Sequence, residues 1–164
     1  MRSSVIAVRA IVYAAAFVLF FGWLAVRMTA YDSDLGFIIP EWTTGPGAFL
    51  MIAGAGLAAA CVGTFVLAGK GTPAVFDPPK EFVARGPYAY VRNPMYIGGF
   101  FLLVGFGLYQ RSSSILVFAI VLSLLFHLFV LLIEEPGLEK RFGESYVDYK
   151  KSVNRWIPKF GEKK

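Results

Sequence analysis

Two polar clusters interrupt an otherwise apolar chain: Arg92-Asn93-Pro94-Met95-Tyr96 and Glu134-Glu135-Pro136, at the two ends of a strongly hydrophobic hairpin. A helix in lipid needs no adjacent carboxylates at its boundary, where like charges repel and acids at a helix C-terminus oppose the macrodipole. Their presence calls for a cationic partner or a chemical task. Together the clusters offer carboxylates, a guanidinium and a phenol, a set suited to a ligand that bears charges of both signs. If the ligand's reaction partner must lose a proton, Glu135, His127 or water is a candidate base.

The elements that position these residues are membrane helices. The 164 residues are 57% hydrophobic and 16% charged, with a mean hydropathy of +0.61 and the apolar residues gathered in long blocks. Ala10 to Val26, Gly47 to Ala68 and Ile115 to Ile133 each lack a charged side chain and approach the roughly 20 residues that a spanning helix needs. Met95 to Tyr109 predicts a fourth, shorter span. The expected fold is an all-α integral-membrane bundle of about four spans, a single domain over residues 1–164, with any site built from helix ends and short loops. Cys61 is alone and inside a span, which excludes a disulfide framework or a thiolate metal site.

The basic residues set the expected orientation. Arg2 and Arg9 precede the first span, Lys70, Lys80, Arg85 and Arg92 lie between the second and third, and eight Lys and Arg follow the fourth. By the positive-inside rule both termini and the central loop face the cytoplasm, and the net charge of +5 marks topology and anionic lipid rather than nucleic acid. A cleaved signal peptide is the rival reading of the N-terminus, against which the length of its apolar stretch counts. The loop from Met28 to Pro46 reads as an ordered lid or a connector. The Pro-rich central loop is placed to fold over the mouth of the bundle, and Gly137 to Lys151 predicts one short surface helix, followed by Arg155-Trp156-Ile157-Pro158 as an interfacial anchor.

Each candidate has a plainer reading. Gly54-Ala55-Gly56 offers a close approach to a ligand, yet Gly47, Gly54 and Cys61 recur every seven residues as a small-residue packing stripe, and packing is the better account. The same holds for Gly98 and Gly105, within the molecule or between subunits. His127 lies seven residues before Glu134 on one helix face, either as a functional group in the membrane or as an interhelical hydrogen-bond partner. Arg92 can bind lipid phosphate, and Tyr88, Tyr90 and Tyr96 can be interfacial aromatics.

These motifs carry a family resemblance. Asn93-Pro94-Met95-Tyr96, Glu134-Glu135-Pro136 and Gly54-Ala55-Gly56 resemble the motifs of phospholipid N-methyltransferases. Arg85-Gly86-Pro87-Tyr88, Arg92, Phe142-Gly143-Glu144, Tyr146, Tyr149 and Arg155-Trp156-Ile157-Pro158 resemble isoprenylcysteine carboxyl methyltransferases. Both belong to a superfamily of membrane enzymes that use S-adenosylmethionine (SAM), and the resemblance spans roughly Gly54 to Pro158. It implies cofactor contacts at Lys80, Glu81, Phe82, Val83, Tyr88, Asn93, Pro94, Met95, Tyr96 and Glu134, with Gly54, Gly56 and Glu135 added from the phospholipid side. Asn93-Pro94 replaces the His-Pro of the prenylcysteine enzymes, and the arginine that engages their substrate falls at Val130.

The residue types suit such a donor. Glu134 can take the ammonium of SAM, Arg92 or loop amides its carboxylate, and Tyr88 or Tyr96 can lie against the sulfonium. The acceptor is expected to be a membrane lipid or another lipophilic small molecule. The rival readings are an NADPH-dependent membrane reductase with a similar C-terminal core, and a non-catalytic membrane scaffold.

Overall fold

The computed structural model describes residues 2–69 and 83–159, with side chains described from 8 to 67 and from 83 to 159. The expected contacts at Lys80, Glu81 and Phe82 lie outside the described residues. Every element described is helical, and no strand occurs among the described residues.

Helix α1 (Arg2–Met28) runs through a tight turn (Thr29–Tyr31) into α2 (Asp32–Leu35), which ends at Gly36 in the left-handed conformation (φ 66°). Then follow α3 (Thr44–Thr64), α4 (Pro94–Gln110), α5 (Ser113–Phe129), α6 (Glu135–Phe142) and α7 (Glu144–Ser152). Three continuous helical stretches are long and apolar enough to cross a membrane: Val8–Leu35, Glu41–Leu67 and Ser113–Phe142, of 28, 27 and 30 residues. The 17 residues of α4 extend about 26 Å at 1.5 Å each, nearly the roughly 30 Å of a hydrocarbon core. With that shorter helix the bundle has about four spans. Large side chains such as Ile52, Phe49 and Leu132 point outward, 73%, 71% and 67% exposed, as a lipid-facing surface requires.

Glycine decides the central packing. A Cβ on Gly47 would lie 2.7 Å from the Gly105 carbonyl, and one on Gly54 would lie 2.6 Å from the Gly98 carbonyl. The reversed order of these pairs makes α3 and α4 antiparallel, with their backbones in contact along the stripe. The stripe therefore packs within the molecule.

The α4–α5 turn is fixed on the face opposite the polar clusters. Pro94 occupies the first turn of α4, where its missing N–H costs nothing, and Arg111 ends the helix in the left-handed conformation (φ 57°). Ser112 Oγ caps α5 by accepting from Ile115 N at 3.2 Å. Asp32 Oδ1 accepts from Ser112 Oγ (2.9 Å), Ser113 Oγ (3.3 Å) and Ser114 N (2.8 Å), so a carboxylate from α2 neutralises the positive end of α5.

Two expectations need correction. The last span, expected over Ile115 to Ile133, runs on through Pro136 to Phe142. Val130–Glu134 winds as a π-helix in which the Glu135 N–H bonds Val130 O, five residues back, and the widened turn makes room for the proline ring. Glu134 and Glu135 thus stand inside a longer helix, where the macrodipole objection to terminal acids does not apply. The expected single surface helix is in fact two, α6 and α7, broken at Gly143 (φ 57°, ψ −134°), a conformation that disfavours residues with a Cβ.

Candidate functional site

The two adjacent glutamates have different surroundings. Glu135 is buried, with 4% exposure. Arg155 donates to it through Nε (2.7 Å to Oε1) and Nη2 (2.9 Å to Oε2), and Arg92 Nη2 lies 3.1 Å from Oε1. The side-on fork of Arg155 is the strong geometry for a guanidinium on a carboxylate. The Glu135 bond holds the Arg155 guanidinium's pKa above its usual value, ahead of the opposing effect of burial. Glu134 is only half-buried. Its Oε2 accepts the Tyr96 hydroxyl at 2.7 Å, and no cation pairs with it among the described residues.

Aromatic rings surround that carboxylate. The Tyr96 ring lies 5.1 Å from Phe126 and 6.4 Å from Trp156. Tyr88 packs edge-on against Phe65 at 5.0 Å, and its carbonyl accepts the Tyr149 hydroxyl. Burial raises the Tyr88 phenol's pKa well above its ordinary value, with Cys61 and the charge of Glu134 adding to the effect. Burial also raises Tyr146 and Tyr149. These phenols are neutral hydrogen-bonding groups at physiological pH.

The C-terminal segment completes the arrangement. Arg92 N donates to Asn154 O at 2.9 Å and Asn93 N to Arg155 O at 3.3 Å, so the segment pairs with the chain leading into α4. The Asn93 side chain donates to the same Arg155 carbonyl at 3.4 Å and leaves the α4 N-terminus uncapped. Trp156 Nε1 donates to His127 Nδ1 at 3.0 Å. This bond ties the C-terminal segment to α5.

Of the residues expected at a site, the structure gathers Tyr88, Asn93, Tyr96, Glu134, Glu135, Arg92 and His127 at one end of the bundle. Pro94 is buried, Met95 half-buried beside it, and Val83 buried. Gly54 and Gly56 are elsewhere: Gly54 is consumed by contact with α4, and Gly56 is exposed with nothing within 4 Å of where its Cβ would be. Glu135 and His127, expected as candidate bases, are engaged by two guanidiniums and by an indole N–H. Arg155, Trp156 and Phe126 belong to the cluster but did not emerge as site residues from the sequence, where Arg155-Trp156 reads as an anchor.

One donor in this cluster has no partner. Arg92 is 9% exposed at its side chain, and its Nε is buried without a hydrogen bond. Such a group costs about 1–3 kcal/mol if left unmet, which favours an anionic ligand there.

The profile of the phospholipid methyltransferase family matches residues 42–145. The chain belongs to that family. Its fold is similar to that of a eukaryotic intramembrane Ras methyltransferase, isoprenylcysteine carboxyl methyltransferase, with a TM-score of 0.56 and 23% identity over 88% of this chain. The alignment covers 52% of that protein, so the chain spans about half its length. No curated protein sequence matches. The family match covers α3, α4, α5 and α6 and the start of α7, while Arg155 and Trp156, which close the cluster, fall beyond it.

Proposed function

We propose that this membrane protein transfers a methyl group from SAM to a lipophilic acceptor held in the bilayer, at a site on the cytoplasmic side. The observation that carries this reading is Glu134: a half-buried carboxylate, hydrogen-bonded to Tyr96 and with no cation paired to it among the described residues, beside a Glu135 whose charge two arginines already neutralise.

The residues present fit the donor. Glu134 is free to accept an ammonium, the unmet Arg92 Nε supplies an N–H for a carboxylate, and the Tyr96 and Tyr88 rings offer faces to a sulfonium. When bound, SAM supplies an electrophilic methyl group. The protein's own task is alignment and exclusion of water. Glu135 fixes Arg92 and Arg155, Tyr96 fixes the Glu134 carboxylate, and Trp156 holds the C-terminal segment against α5.

The acceptor reading follows from charge. Val130, at the position of the substrate arginine in prenylcysteine enzymes, is fully buried at 0% exposure, Arg155 is committed to Glu135, and the remaining donor of Arg92 is taken by the SAM carboxylate. A carboxylate acceptor lacks a counter-ion, so the preferred acceptor is a lipid with a neutral or basic nucleophile, such as an ethanolamine head group or a lipophilic amine or thiol. With Glu135 and His127 engaged, an amine reaches the site deprotonated, with water as the proton acceptor.

The test is purified protein in lipid nanodiscs with methyl-labelled SAM, followed by the mass of the lipid extract. A labelled amine lipid supports the reading. Thermal stabilisation by NADPH but not by SAM sinks it, and faster turnover of farnesylcysteine sinks the acceptor assignment.

A further inference from the structure

A lipid acceptor has to reach Tyr96 and Glu134 from the side, and the two flanks of that end of the bundle differ in kind. On one flank α3 and α4 touch backbone to backbone: a Cβ on Gly54 would lie 2.6 Å from Gly98 O and 2.8 Å from Leu102 N. Nothing the width of a lipid passes there without separating two helices. On the other flank α1 meets α5 through rings. Phe126 lies 5.8 Å from Phe21 and 6.0 Å from Phe17, and Phe17 and Phe20 are 44% and 55% exposed on the outer surface. Ring contacts of this sort contribute about 0.5–1.5 kcal/mol each and yield to a rotamer change or a small shift of α1. Of the side chains described on α1, only Ala10 and Ala25 are buried.

Phe126 therefore has a particular place. Its ring touches α1 on one side and Tyr96 on the other, at 5.1 Å, and Tyr96 is the hydroxyl bonded to Glu134. Whatever crosses the α1–α5 seam meets this ring last. We infer that Phe126 determines acceptor specificity, as the threshold between α1 and α5 that an amine-headed lipid crosses to reach Tyr96, and that its bulk limits the size of the head group admitted. This rests on the methyl-transfer reading above.

Two measurements test it on the full chain in nanodiscs. The first compares kcat/KM for lipophilic amines of increasing head-group size in wild type, Phe126→Ala and Phe126→Trp, with Phe126→Leu as the milder variant if alanine fails to accumulate. Phe126→Ala should raise the bulky-to-small ratio by about 10-fold or more, the scale on which one methylene discriminates in an apolar pocket, and Phe126→Trp should lower it. SAM affinity by titration should stay within roughly 2-fold in each, well under the step of a lost hydrogen bond. An unchanged ratio, or variants that lose SAM affinity and acceptor turnover together, overturns the proposal. The second measurement needs no turnover: a lipophilic amine with a photoreactive group near its head should label peptides containing Phe17, Phe21 or Phe126. Label confined to α3 and α4 overturns the proposal. A wild type that methylates no lipid overturns the parent function, and the position of the label then decides the route by itself.

Discussion

Replacing Glu134 and Glu135 one at a time by glutamine should give opposite phenotypes. Glu135 receives three charge-assisted contacts at 2.7, 2.9 and 3.1 Å in a nearly dry environment. A carboxamide keeps one acceptor and turns an NH2 toward a guanidinium, leaving the nearly buried Arg92 and the partly buried Arg155 short of a counter-charge. Breaking a buried pair in this way costs about 3–5 kcal/mol, so Glu135→Gln should lose stability heavily and release the C-terminal segment. Glu134→Gln still accepts the Tyr96 hydroxyl, and its stability should change by less than about 1 kcal/mol, the net scale of one hydrogen bond. It loses the charge meant for an ammonium, which weakens SAM binding by roughly 1.5–3 kcal/mol, or about 12- to 140-fold. Isothermal titration with SAM and its demethylated product reads the second effect, and unfolding followed by tryptophan fluorescence reads the first. Glu134→Gln as unstable as Glu135→Gln, with SAM affinity intact, would refute the division of labour between them.

Other perturbations separate packing from chemistry. Gly54→Ala forces a methyl into the Gly98 carbonyl and should cost about 1–3 kcal/mol as overpacking, whereas Gly56→Ala meets open space and should stay within about 0.5 kcal/mol in a thermal melt. Loss of SAM binding in Gly56→Ala at full stability would return the Gly-x-Gly to the ligand site. Tyr96→Phe should keep the ring contacts and reduce kcat/KM several-fold with little change in melting, since only the hydroxyl that orients Glu134 is removed. Asp32→Ala strips three hydrogen bonds from the far end of α5; it should destabilise by roughly 1–3 kcal/mol and leave SAM affinity unchanged by titration.

Hydropathy alone predicts the spans, because the bilayer demands a minimum apolar length that the three uncharged blocks approach. The seven-residue spacing of Gly47, Gly54 and Cys61 likewise announces a packing face, since helix geometry returns those positions to one side, but leaves its partner helix unnamed. The apolar block stops at Ile133, and the π turn that carries the helix on past Pro136 has no marker of its own. Glu134 and Glu135 stand out as a pair, but nothing in their adjacency says that one is neutralised and the other spared. That distinction comes from Arg155, 20 residues later and brought back by two helices bent at Gly143. His127 belongs to the same class, because the indole it accepts from, Trp156, lies 29 residues on.

The pairing of Arg92 and Asn93 with Asn154 and Arg155 also has a bearing on the order of assembly. The bundle's own contacts, Gly47 with Gly105 and Asp32 with the start of α5, join residues made early, and they can form while synthesis is still under way. Arg155 and Trp156 are made after the helices described above. Until they dock, Glu135 faces Arg92 alone and the Arg92 backbone amide lacks its carbonyl. A nascent chain can thus be a finished membrane bundle and still hold no organised polar cluster. The polar cluster is closed by a segment that lies outside the described membrane-spanning helices.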